Sequence, residues 1–214
     1  MSDSPITIGA MSGAPATRRD RPYIWATWLA ALLAGPKCGW QLWFRANHVL
    51  RTKQPDDPDA PMWRARHEEL VDALDAEVLS TGVVTERELE LKITFEDGVA
   101  IKGSADLVAT HGDSGAIDIY EVKGGWPQES DRFQLWMYMW MMAETLDPDE
   151  VWDIGGWVVR KDERERYDDI PPDFAASVER GIATLSGPTA LERVPGSHCR
   201  FCPITKVDCP VRQD

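Results

Sequence analysis

The chain has 214 residues and 43% hydrophobic content, which suits one domain with a real core. Its formal net charge of −13 argues at first against a polyanionic partner, and no apolar run is long enough to span a bilayer. The charge is uneven: residues 1–66 hold nine Lys/Arg against five Asp/Glu, a balance of +4, while residues 67–214 hold fourteen against thirty-one, a balance of −17. A polyanion could therefore meet the N-terminal part while the remainder keeps the protein soluble, although a solvated acidic surface with no partner gives the same numbers.

Residues 1–17 are rich in Ser, Gly, Ala and Pro and are expected to be disordered. Residues 22–35, "PYIWATWLAALLAG", follow Arg18-Arg19 and imitate an export signal, but no small-residue cleavage site is evident. Trp25, Trp28, Leu29 and Leu32 have helical spacing instead, so an amphipathic first helix is expected. A second helix is read over 40–51, a loop over 55–61 ("PDDPDAP"), and a third helix over 63–80, where Leu70, Leu74 and Val78 recur at helical spacing. The period then changes. In "ERELELKITF", Leu89, Leu91, Ile93 and Phe95 alternate with polar residues, the pattern of a half-buried strand. "EDG" at 96–98 turns the chain into a second strand over 99–110, and a third follows over 115–123. A Met- and Trp-rich helix spans 129–146, with Ser130 and Asp131 at its start, "GGWVVR" at 155–160 is a fourth strand, and a helix covers 172–186. There is no internal repeat and no phosphate-binding Walker motif, so the chain is not its own ATP-driven motor.

The chemistry concentrates around "IYEVKG" at 119–124. Alternation puts Glu121 and Lys123 on one face of the third strand, with Ile117 and Ile119. The strand before carries Asp106 in "GSADLV", a lone acid among small and apolar residues that is costly to bury unless it binds something. Hairpin pairing can bring Asp106 and Glu121 to the same end of the sheet, and two converging carboxylates make an oxygen-ligand site for Mg2+ or Mn2+. A lysine beside such a metal can orient or deprotonate water and stabilise charge in phosphodiester hydrolysis. An E-x-K triplet alone is also what a solvent-facing strand produces. Two features weigh against that: Gln134 and Tyr138 share a face of the otherwise apolar helix "FQLWMYMWMM", where a glutamine needs a buried partner or a ligand. His67, in "RHEEL", is a plausible third metal ligand, with His48 in "RANHVL" as its rival.

Cys38 stands about 160 residues before Cys199, Cys202 and Cys209, which form the run "CRFCPITKVDC". Disulfides fit poorly without a secretion signal, and structural zinc normally uses paired knuckles. Cys202 and Cys209 are each followed by Pro, a recurrent feature of iron–sulfur ligation. Four thiolates from both ends of the chain would staple the N-terminal helix to the tail.

"GSADLV", "YEVKG", "QLWMY" and the one-plus-three cysteines together resemble the Cas4-like branch of the RecB-type PD-(D/E)xK nucleases, with the AddB nuclease domain a relative. "CGWQLWFRANH" is similar to that family's first-cysteine helix. The likeness spans roughly residues 20–212. It implies an α/β fold: a restriction-endonuclease-like core with a central mixed sheet flanked by helices, and an iron–sulfur-stapled helical lobe. Residues 18–214 would form a single nuclease domain, with 18–66 the N-terminal helical lobe, 67–186 the catalytic core and 187–214 the cysteine-rich tail.

By the same resemblance, Asp106 and Glu121 would hold catalytic Mg2+ or Mn2+ with His67, and Lys123 would be the catalytic lysine. Gln134 and Tyr138 would support the site and contact DNA. Cys38, Cys199, Cys202 and Cys209 would ligate a [4Fe-4S] cluster, with Zn2+ as the alternative. The implied activity is a cytoplasmic DNA exonuclease preferring single strands, serving repair, CRISPR adaptation or phage DNA metabolism. A separate helicase or an integrase-type protein is an implied partner, and no membrane is. The alternative reading is a non-catalytic DNA-binding or complex-assembly module on the same fold.

Overall fold

The computed structural model describes residues 15–51, 60–112, 115–149 and 151–213. Residues 1–14 of the expected disordered segment, most of the 55–61 loop and the centre of the second-to-third strand connection lie outside these. Residues 15–17 are placed, and Thr17–Arg18 forms β1, which pairs antiparallel with β3, His48–Val49. The second helix therefore ends earlier than expected: α2 is Gly39–Asn47, and the chain beyond it is extended.

The first helix is also shorter than its periodicity suggests. Tyr23–Trp25 is strand β2, paired in parallel with β5, Ala100–His111, and only Ala26–Leu33 is helical, as α1. Tyr-Ile-Trp favours the pleated state, and in it Ile24 is fully buried while Trp25 turns outward at 36% exposure. Helix α3 is Ala60–Leu79. Strand β4 is Val84–Thr94 and alternates as expected, with Leu91 buried, Leu89 and Ile93 half-buried, and Glu90, Lys92 and Thr94 exposed. Strand β6 is Ala116–Val122, helix α4 Glu129–Thr145, strand β7 Asp153–Val159 and helix α5 Phe174–Ser186. One strand, β8 at Arg164–Tyr167, has no counterpart in the sequence reading. Its four residues are polar and largely exposed, so no apolar alternation announces it.

These strands form one six-stranded mixed sheet in the order β2-β5-β6-β7-β8, with β4 also on β5. β2 with β5 and β6 with β7 run parallel, and the other pairs are antiparallel. One face packs on α4, behind which lie α1, α2 and α5 in the main core, with Trp40, Phe44, Leu135, Met141 and Val178. The other face packs on α3 through Val71, Leu74, Val78, Leu107, Tyr120 and Val122. Helix α4 is buried nearly all round, which explains its lack of a polar stripe.

One detail of the topology positions the site. β5 has two partners on the same edge. β6 pairs with it from Leu107 to His111, and β2 pairs with it from Ala100 to Lys102. Between them, residues 103–106 have no strand partner on that edge, so the sheet is forked there.

Candidate active site

Asp106 stands at the mouth of the fork. The β5–β6 ladder stops at the pair Leu107 and Tyr120, and the Asp106 side chain continues it: Oδ2 accepts the Val122 N–H at 2.7 Å. Its other oxygen, Oδ1, lies 3.3 Å from His67 Nε2 on α3. Glu121 leaves β6 on the α4 side and is 2% exposed. Its Oε1 accepts two hydrogen bonds at 2.6 Å, one from Lys123 Nζ and one from Gln134 Nε2. Gln134 is the hub on α4. Its Oε1 accepts from Lys123 Nζ at 2.9 Å, and its Nε2 also donates to the Tyr138 hydroxyl at 3.0 Å. The glutamine in an apolar helix thus spends both ends of its amide on the site.

The structure therefore brings His67 and Asp106 together, and beside them Glu121, Lys123, Gln134 and Tyr138, the two sets meeting through the backbone of Glu121 and Val122. It does not bring His48 there. That ring stacks on Phe44 at 4.0 Å between centroids, with Nδ1 3.1 Å from the Phe44 carbonyl oxygen. Glu121 is not on a wet strand face; the sheet is covered on both sides where it sits.

The electrostatics follow from burial. Burial pushes the Glu121 carboxyl up to about 8 against the pull of Lys123, and the nearby Asp106 adds to the rise. Burial acts to lower Lys123, but the Glu121 carboxylate outweighs it and leaves the ammonium above its ordinary value. Each charge favours the other, and burial opposes both, more strongly at Glu121, whose side chain is 3% exposed against 21% for Lys123. His67 is raised by its hydrogen bond to Asp106, against the effect of burial. Burial pushes the Tyr138 phenol well above its ordinary range, so it stays a neutral hydroxyl.

Glu121 Oε2 is buried and has no hydrogen-bond partner among the described residues. A carboxylate oxygen in that state is costly, and a hard cation would satisfy it. Among the described residues no three His, Cys, Asp or Glu side chains already stand as a finished ligand cluster. A cation here would have to draw His67 and Asp106 toward Glu121.

The cysteines meet at the other end of the molecule. Cys38 precedes the first turn of α2, Cys199 lies in a 3-10 turn at Ser197–Phe201, and Cys202 and Cys209 follow it. All four are unpaired thiols lining one small cavity of about 20 Å3. Backbone N–H groups of Gln213 and Gly196 lower the Cys199 pKa, whereas burial raises Cys202. The tail is also tied without them: Ala16 N–H donates to Asp208, and Trp43 Nε1 donates to the Gly187 carbonyl at 2.8 Å.

A family model of the PD-(D/E)XK nuclease superfamily matches residues 36–210. The chain belongs to the PD-(D/E)XK nuclease superfamily. Membership supports nuclease activity on DNA, and enzymes of this superfamily typically use Mg2+ or Mn2+. Among solved structures, the nuclease chain is similar to the crystal structure of SSO0001 at 18% identity, with a TM-score of 0.51 over 92% of this chain and 90% of that one. It is also similar to an alkaline exonuclease (LHK-Exo) from Laribacter hongkongensis at 12% identity, with a TM-score of 0.44 over 76% and 85% of the two chains. The first likeness bears on the fold alone. No curated protein sequence matches significantly.

Three features in or beside the candidate site escaped the sequence reading. Gly103 lies in the fork, where a Cβ would meet Tyr138 Cε1 at 2.5 Å and Ala26 Cβ at 2.9 Å; its signal was the "GSAD" run itself. Arg160, at the end of "GGWVVR", pairs with buried Asp131 at 2.5 Å. Asp131 also accepts the Gln128 N–H at 3.0 Å, which closes the first turn of α4 and sets the level at which Gln134 enters the site. Trp126 lies in the loop between β6 and α4 and gave no periodic signal.

Proposed function

We propose that this nuclease is a metal-dependent DNA exonuclease of the Cas4-like, RecB-type branch that acts on single strands. The observation that carries the reading is Asp106 at the sheet fork beside a Glu121–Lys123 pair tied by Gln134, with one Glu121 oxygen left unsatisfied. Asp106, Glu121 and His67 would hold Mg2+ or Mn2+. Bound there, the ion would lower the pKa of a water and neutralise charge on the scissile phosphate. Glu121 must give up its proton and His67 must be neutral to act as ligands. Once the Glu121 charge is engaged, burial acts to lower Lys123 against only the weaker pull of Asp131 and Asp106, and its amine becomes a better proton acceptor for an attacking water. Gln134 holds that amine in place through its side-chain carbonyl, and Tyr138 orients Gln134.

The four thiols suit a [4Fe-4S] cluster by donor type and line one apolar-walled cavity, but among the described residues they do not already stand as a finished ligand group, so the cluster would have to draw them together. The cluster would fasten α2 to the tail, and Zn2+ is the competing occupant. Free thiols and a cluster both suit a reducing, cytoplasmic setting. A helicase or an integrase-type protein is the proposed partner. Among the described residues no helix is long and apolar enough to cross a membrane.

The test is cleavage of end-labelled single-stranded DNA with Mg2+ or Mn2+ by the parent and by Lys123→Ala. Degradation by the parent and none by the variant is expected. Equal activity of the two sinks the mechanism, and binding without degradation by the parent favours an assembly module.

A further inference from the structure

Trp126 is 88% exposed, and it stands three residues after Lys123 in the loop "GGWP". An indole so displayed forfeits much of the stabilisation that burial would give it, and a large exposed aromatic beside a site is a contact waiting for a partner. It is not alone. Trp63, on the first turns of α3, is 45% exposed and lines the same open cleft of about 520 Å3. Lys123 lines that cleft as well, so it is continuous with the candidate site.

The loop keeps the cleft open. A side chain added at Gly124 or Gly125 would meet nothing within 4 Å, so nothing fills the space between Lys123 and Trp126. Pro127 holds Trp126 toward extended backbone, and Gln128 Nε2 donates to the Trp126 carbonyl at 3.3 Å. Three residues of chain span at most roughly 11 Å, so whatever rests on Trp126 lies close to whatever Lys123 holds.

The charge of the cleft narrows the partner. Arg66 and Lys161 line it and have no carboxylate partner among the described residues. Asp162 and Glu163 line it too, so it is mixed, but it carries free cations in a chain whose net charge is −13. Free cations with displayed aromatics beside a lysine site are what a single nucleic-acid strand requires: phosphates on the cations, base faces on the rings.

Resting on the nuclease reading above, we propose that Trp126, with Trp63, is a base-stacking platform for the strand entering the site, and that it selects single strands over duplex. Paired bases bury their faces in the stack, so a duplex offers nothing to the two indoles.

The test is equilibrium binding of a fluorescein-labelled oligothymidylate in EDTA, where no cleavage occurs, compared with an abasic strand of equal length. The parent is expected to bind both, the oligothymidylate more tightly. Trp126→Ala is expected to weaken oligothymidylate binding by about tenfold and leave the abasic strand unchanged, and Trp126→Phe to recover most of the loss. Equal weakening on both strands overturns the proposal, because Trp126 would then act through the backbone. Unchanged binding of both strands also overturns it and leaves Trp126 to a protein partner. A parent that binds neither strand removes the nuclease reading along with it.

Discussion

The Asp106 carboxylate accepts the Val122 N–H at 2.7 Å at the point where β6 leaves the edge of β5. A side chain thus replaces the backbone carbonyl that a continued ladder would have supplied. The same residue that would hold a metal also seals the fork, so its two roles can be separated by choice of substitution. Asp106→Asn keeps an acceptor for Val122 and is expected to stay within about 1 kcal/mol of the parent in stability while losing cleavage. Asp106→Ala strands the amide and is expected to cost about 1–3 kcal/mol as well. Denaturant unfolding beside the cleavage assay checks both, and an active Asp106→Asn protein would remove Asp106 from the chemistry.

Glu121 makes stability depend on pH in an unusual direction. Its folded pKa, about 8, lies above its ordinary 4.5. Its contribution is therefore fully present below about 4.5 and lost as pH rises through about 8. Glu121→Gln mimics the protonated form. In chelator, the parent is expected to fall behind Glu121→Gln by up to a few kcal/mol as pH rises from about 5 to about 8. Added Mg2+ should restore the parent and not the variant. Parallel pH profiles of melting temperature for the two proteins would contradict this.

Gly103 is a packing requirement rather than a turn. A methyl group there would drive the Tyr138 ring away from β5 and, through it, Gln134. Gly103→Ala is expected to cost about 1–3 kcal/mol and to lower kcat, whereas Tyr138→Phe, which keeps the ring, should cost little stability. A Gly103→Ala protein as stable as the parent would show that the ring moves freely.

The Arg160–Asp131 pair is nearly buried, at 13% and 10% side-chain exposure. Arg160→Met leaves Asp131 uncompensated and should cost about 3 kcal/mol. The double variant Arg160→Met/Asp131→Asn should recover much of that. A double-mutant cycle with no coupling would contradict the role given to this pair in starting α4.

Anaerobically purified protein is expected to be brown with broad visible absorbance, and Cys202→Ala to be colourless with a lower melting temperature. A colourless parent carrying zinc would replace the cluster by Zn2+ at the same four thiols.

Local chemistry made much of this protein legible. The period change in "ERELELKITF" announced the sheet, and the strand alternation of Leu89, Leu91 and Ile93 stands in β4. Gln134 betrayed itself as the polar residue in an apolar helix. The misreadings lie where two local preferences compete over a few residues: Tyr23–Trp25 continues a helical pattern yet pairs with β5, and His48–Val49 leaves α2 to pair with β1. Short polar β8 had no apolar pattern to read.

The sequence by itself determined which residue types were available for the site and the order in which strands and helices carry them, because periodicity and composition are properties of neighbours along the chain. Only the tertiary structure decided that β5 shares one edge between β6 and β2, that Asp106 stands in the gap, that His67 rather than His48 reaches it, and that Arg160 anchors the helix carrying Gln134. Those are contacts between distant segments, set by sheet register and by which buried groups need partners.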